Sequence, residues 1–435
     1  MGPIGAVGIL TMTVGLSLFR PQIGQIRVQP AAAALLGAGL TLAVGLLSPL
    51  QAWEVLEFLA KPVLTIVSLM TITIVASRAG FFRATAWRLA IGARGNSRRL
   101  FGRLFMAGTI TGTVFTNDAA VLIFTPMIYQ LVQEIREPGW SEANCIPFYF
   151  AVLYVANLVG ALVISNPINI IVADWFDIGF VPYAMWMALP AVASMVVSYA
   201  GLLLFFRRSI PGTYRLPEAV ETDPRGRGFR AVTAGVLLVT LFSFFSEPWL
   251  GIPTAYVAAA AAFLLLAAHH LFGGDTKRGV IAEVGWDAII FVIGIFIVAN
   301  GLREVGVTDL IGAMLSGAAQ LGQQAGNFAA GLTAAVFSAV LNNHPTAGIM
   351  ALAIGDLPVD AATREGMALA ALIGGDLGPK MLPTGSLAAL LWFRILRRWG
   401  VHISYWQYVK VGVPVTLAAA LCSLAVLGLE YALVR

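Results

Sequence analysis

Residues 104–128, LFMAGTITGTVFTNDAAVLIFTPMI, form an apolar run interrupted at its centre by Thr116, Asn117 and Asp118. A second run, GLTAAVFSAVLNNHPTAGIMALAI at 331–354, is interrupted by Asn342, Asn343, His344 and Pro345. Polar groups left unsatisfied in hydrocarbon cost several kcal/mol each, so irregular backbone at membrane depth survives only where protein or a cavity surrounds it. Two such interruptions, one in each half, point to a transporter with a paired substrate site.

Composition places both runs in a bilayer. The chain is 59% hydrophobic and 11% charged, with a mean hydropathy of +0.84, and its apolar runs recur near the ~20 residues that span hydrocarbon. A soluble fold is excluded. The opening run, GAVGILTMTVGLSLF, lacks a basic leader and a small-residue cleavage site, so it reads as the first span. The net charge of +5 comes from basic residues in short loops, which signals orientation rather than a nucleic-acid partner. Cys145 and Cys422 are far apart in sequence, so they suggest neither a disulfide framework nor a thiolate metal site. No P-loop, dinucleotide fingerprint, zinc spacing or nucleophile elbow appears, so neither ATP hydrolysis nor catalysis is expected, and no cofactor.

Spans are expected at 4–19, 31–49, 62–78, 104–133, 183–206, 231–246, 253–270, 286–302, 326–356 and 411–431, with 104–133 and 326–356 broken. NLVGALVISNPINIIV at 157–172 and IGGDLGPKMLPTGSLAALLW at 373–392 lie in long apolar segments, 146–175 and 366–393, rich in Gly, Pro and Asn or Thr. These are expected to be re-entrant hairpins. The resulting fold is all-α and integral to the membrane, with broken transmembrane helices, two hairpins and about ten crossings.

The order of parts recurs, with SNPINI at 165–170 standing where PTGSLA stands at 383–388. The expected division is N-terminal spans at 1–61, a first repeat at 62–206, a linker at 207–230, connecting spans at 231–285 and a second repeat at 286–435. If 78–103 faces the cytoplasm, 22 of the 27 basic residues fall on that side, with Lys61, Arg136, Arg303 and Arg435 outside and Lys380 within a hairpin. That asymmetry sets both termini outside and gives the repeats opposite orientation.

A broken helix offers free N–H and C=O groups to a solute. Thr116, Asn117, Asn342 and Asn343 add amides and a hydroxyl, and Ser165, Asn166, Asn169, Thr384 and Ser386 line the expected hairpin tips. This set suits a small neutral polyhydroxylated substrate. Asp118, Asp376 and His344 are candidate proton carriers, because burial moves such groups toward neutral pH. Lys380 stands four residues after Asp376, a spacing that would pair the two on an unbroken helix, but Gly378 and Pro379 intervene.

FTNDAAVLIFTP at 115–126, NNHPT at 342–346 and GGDLGPKMLPTGSLAALLW at 374–392 together resemble the ArsB-type arsenite efflux permeases of the ion transporter superfamily. The resemblance spans nearly the whole chain, and DLGPK followed by P-x-GSLA-x-LLW is its most specific part. It implies export of arsenite and antimonite across the cell (inner) membrane in exchange for protons, alone or with a soluble ArsA-type ATPase. A sodium/proton or organic-anion carrier of the same superfamily, the membrane subunit of an ATP-driven pump, and a channel are the competing readings.

Overall fold

The computed structural model describes residues 2–23, 26–217, 224–272 and 279–434, without the side chains at 117–120, 122, 224, 225 and 387. Apart from a two-residue ladder between Gln22–Ile23 and Ile26–Arg27, the described regular structure is helical. Helices satisfy their own backbone, which hydrocarbon requires.

Helices α1 (Pro3–Phe19), α2 (Pro30–Ala43) and α3 (Pro49–Arg78) each begin with proline in the first turn, where a missing N–H costs nothing. Ser48 and Gln51 add a reciprocal capping box to α3. α3 runs unbroken through Pro62, so the expected boundary between 61 and 62 falls inside one helix.

Next come α4 (Phe81–Gly92), α5 (Ser97–Val114), α6 (Asn117–Ile135), α7 (Glu142–Val155), α8 (Pro167–Trp175) and α9 (Phe180–Phe206). α10 (Pro224–Phe245), the short α11 (Glu247–Leu250) and α12 (Thr254–Leu271) lead to α13 (Trp286–Glu304). α14 (Val307–Gln320), α15 (Gln323–Leu341), α16 (Asn343–Gly355), α17 (Ala361–Leu377), α18 (Leu387–Arg398) and α19 (Tyr405–Val434) complete the chain. Among the described residues, seven of these helices are long and apolar enough to cross a membrane.

The series α3–α9 and α13–α19 share local geometry. Gly80 (φ 72, ψ 17) and Gly306 (φ 74, ψ 15) turn the corresponding corners in left-handed conformation. A 3-10 turn at Val163–Ser165 separates α7 from α8, and another at Pro383–Gly385 separates α17 from α18. Asn166 (φ −143, ψ 138) and Ser386 (φ −137, ψ 130) then cap the following helices. The structural counterpart of 165–170 is therefore 385–390, two residues beyond the expected PTGSLA alignment.

Contacts also reverse the expected placement of hairpins and broken spans. Tyr214 donates its backbone N–H to Gly95 O (3.0 Å), just before α5, while Arg215 donates to Ile135 O (2.9 Å), at the end of α6. Both ends of α5–α6 thus meet residues 214–215, so this pair folds back at 115–116. Gln323, starting α15, donates to Ala362 O (3.4 Å), starting α17. Since α16 ends only five residues before α17, α15–α16 folds back too.

By contrast, α7 starts where Asn144 donates to Ser209 O (2.8 Å), and α8 leads to Phe180, whose N–H donates to Glu247 Oε2 (2.8 Å). α9 then spans the full distance back to residue 206. The α7–α8 pair is a broken span, and so is α17–α18, which runs from the face of Ala362 to that of Trp399, where Trp399 stacks on Tyr129 of α6 (4.4 Å). α19 returns antiparallel to α9, with Ser423 donating to Pro190 O (2.9 Å) and Tyr431 stacked on Trp186 (4.2 Å). Consequently α5–α6 opens toward the face carrying residues 207–217, and α15–α16 opens toward the opposite face. Arg136 joins the first face and Arg364 leaves it, so the tally of 22 of 27 basic residues expected from the sequence is unchanged by this exchange.

Candidate substrate and proton site

Each hairpin reverses at a polar tip. Thr116 caps α6; it is wholly buried, and its hydroxyl has no hydrogen-bond partner among the described residues. The side chains of Asn117 and Asp118 lie outside the described residues. At the second tip, Asn342 ends α15 and caps α16 with φ 84 and ψ 157. An L-residue held there stores about 1–3 kcal/mol of strain, and the side chain contributes the compensation. Asn342 Oδ1 accepts the His344 backbone N–H (3.2 Å) and lies 3.0 Å from His344 Nδ1, which suits the tautomer protonated on Nδ1. Thr346 Oγ1 donates to Asn342 O (2.8 Å), and Asn342 Nδ2 is left without a partner among the described residues. Asn343 and His344 are buried, with the imidazole edge-on to Phe291 (5.9 Å).

The two broken spans meet at a carboxylate. Asp376, fully buried near the end of α17, accepts from Asn166 Nδ2 (2.6 Å) on Oδ1. Its Oδ2 accepts from Gly160 N (2.9 Å) and Asn169 Nδ2 (3.1 Å). Asn169 also donates to Ser165 Oγ (3.4 Å), and Asn166 Oδ1 caps the N–H of Ile168 (3.3 Å). Asparagines at one break thus converge on the acid at the other, close to the positive end of α8.

Lys380 is also buried, but it makes no ion pair with Asp376 and no hydrogen bond among the described residues. Its Nζ lies 4.9 Å from the centre of the Tyr154 ring. The four-residue spacing therefore does not produce the pairing that an unbroken helix would. Ser386 Oγ accepts from Ala389 N (3.3 Å), capping α18, and Thr384 is half-buried.

Close backbone approach holds this cluster together. A β carbon on Gly378 would lie 2.8 Å from Ala335 Cα, so α15 rests directly on the second break. A β carbon on Gly160 would lie 2.5 Å from Asn169 Nδ2, displacing the amide that serves Asp376. α5 touches the 163–165 turn, α16 packs on α8, and α18 packs on α6, so each hairpin lies against both halves.

Several groups at this centre give little sequence signal. Tyr154 and Tyr183 sit in apolar helices; Tyr183 is fully buried, and its hydroxyl has no hydrogen-bond partner among the described residues. Asn157, whose buried Nδ2 has no partner among the described residues, opens the 157–172 run and could have been found there. The hydroxyl of Ser338 of α15 likewise has no partner among the described residues. A cavity of about 200 Å³, lined by Lys61, Thr65, Asp174 and Glu247 among others, leads from the face of Phe180 to Val163 and Ile164 at the first break.

The architecture is similar to that of two solved transporters. YdaH of Alcanivorax borkumensis aligns with a TM-score of 0.58 at 14% identity, covering 100% of this chain and 98% of that one. MtrF of Neisseria gonorrhoeae, described among antimetabolite efflux pumps, aligns at 0.52 and 12% identity, covering 98% and 94%. In sequence, the chain is 32% identical over 432 residues to an arsenical pump membrane protein of Escherichia coli, covering 98% of each. It is 33% identical over 376 residues to one from Yersinia enterocolitica, covering 84% of this chain and 85% of the relative. The ArsB model, described as arsenical pump membrane protein, matches residues 5–431, and with these relatives it shows that the chain belongs to that family.

Proposed function

We propose that this arsenical transporter exports arsenite and antimonite as neutral trihydroxides, in exchange for protons entering the cell. The reading rests on the Asp376 carboxylate, held by Gly160, Asn166 and Asn169 of the other half. An ionised carboxylate accepts O–H groups, whereas the amides beside it serve as donors to hydroxyl oxygens. Proton and substrate then compete for one group: the trihydroxide binds the ionised form, and protonation removes the acceptor and releases it. Asn342, Asn343, Thr116, Asn117, Ser165, Thr384 and Ser386 supply further polar contacts. Lys380 balances the buried charge, and Asp118 and His344, at corresponding positions of the two hairpin tips, are secondary proton carriers.

This reading includes ten crossings, two re-entrant hairpins and inverted repeats in the inner membrane. The face of residues 207–217 is cytoplasmic because it carries most of the basic charge, and both termini lie outside. Sodium coupling is disfavoured at Asp376, because both carboxylate oxygens face N–H donors while sodium needs a cage of oxygens. A soluble ATPase partner would dock on the cytoplasmic face, with 207–230 the longest polar segment available.

Purified protein in proteoliposomes is expected to accumulate arsenite when a pH gradient is imposed, at the same rate with or without sodium. Failure to accumulate would end the exchange reading. Asn342→Gly relieves the backbone strain but removes the amide oxygen that organises His344. Folded protein with arsenite affinity weakened about tenfold is expected, read from the substrate dependence of exchange.

A further inference from the structure

We propose that Tyr154 is the positioning residue for Lys380, acting through its ring face rather than its hydroxyl. The inference rests on the reading that Asp376 carries the exchanged proton and Lys380 balances its buried charge. Tyr154 belongs to α7 in the first half, whereas Lys380 belongs to the second break. Only 1% of the tyrosine is exposed, and its ring lies 4.9 Å from Lys380 Nζ. An ammonium taken out of water needs an electrostatic partner, and the negative face of an aromatic ring provides one without a proton that could be exchanged.

The hydroxyl has a separate task. It donates to Val411 O (3.1 Å) and lies 3.4 Å from Gly412 O, tying the ring to α19. Gly412 has no side chain where the Lys380 carbonyl approaches, so α19 also supports the lysine backbone. Ring, lysine and α19 therefore form one closed contact. Asp376 lies four residues before the lysine at the same break, and Tyr408 of α19 packs on Phe150 of α7, four residues before Tyr154 (6.3 Å). With the ring in place the ammonium is held over the face of Tyr154; without it, Nζ has no counterpart among the described residues fixing its position.

Tyr154→Phe keeps the ring and Tyr154→Leu removes it. Both would be compared with the unaltered protein in proteoliposomes, by arsenite uptake driven by a pH gradient and by arsenite exchange at equal pH. The leucine variant is expected to lose about tenfold of gradient-driven uptake while keeping exchange, and the phenylalanine variant to keep both. A purely structural role would lower both activities together in the leucine variant, and that result would overturn the proposal. So would full gradient-driven uptake by Tyr154→Leu, or equal losses in both variants. Lys380→Met separates the two levels: if it keeps gradient-driven uptake, the role assigned to Lys380 itself is wrong, whatever Tyr154 does.

Discussion

Asp376→Asn is expected to lower gradient-driven arsenite uptake by about a hundredfold or more, because the site loses the group that alternates between proton and substrate. The substitution barely changes shape. It does, however, turn an acceptor-only carboxylate into an amide whose NH₂ faces at least one of three N–H donors, from Gly160, Asn166 and Asn169. An unsatisfied buried donor costs about 1–3 kcal/mol, so moderately reduced thermal stability is expected as well. Equal-pH exchange and monodispersity in detergent distinguish this from collapse: a folded variant that neither concentrates nor exchanges arsenite fits the mechanism, because the substrate binds the ionised acid. Proton-driven accumulation at the normal rate would move the proton to Asp118 and discard the competition model.

Gly378→Val is expected to prevent stable folding. A β carbon there meets Ala335 Cα at 2.8 Å and its carbonyl carbon at 2.9 Å, and backbone atoms of two packed helices cannot step aside as a flexible side chain can. Overpacking a well-packed interior costs about 1–3 kcal/mol when side chains can adjust, and here the larger end or more is expected. Gly235 of α10 is the matched control, since nothing lies within 4 Å of its added β carbon. Monodispersity and thermal denaturation in detergent would separate them: the Gly235 variant should behave normally. Normal stability of Gly378→Val would mean that α15 does not rest on the break as described.

The residues at the centre were largely visible in advance, but their connections were not. Asn166 and Asn169 stood out as polar groups in an apolar run, and Asp376 as a buried acid. That they bind each other depends on a contact across 210 and 207 residues, which no local pattern encodes. Local geometry also defeated the spacing argument for Lys380: the 3-10 turn at Gly378–Lys380 ends the α-helical register that would have set its side chain beside Asp376. Tyr154 and Tyr183 carry no such signal, because a tyrosine in an apolar helix reads the same whether it packs or serves a site.

Membrane class, the repeated order of parts, the polar interruptions and the charge asymmetry were determined by the sequence alone, because hydropathy and loop charge are properties of short segments. Which interrupted runs reverse and which continue was decided only by tertiary structure. A polar break satisfies the same backbone requirement in either case, and the choice appears only in what the outer ends touch. Residues 95 and 135 meet the same short segment, whereas 144 and 180 meet opposite faces. Exchanging those roles left the number of basic residues on each face unchanged, which is why charge could orient the chain without revealing its path.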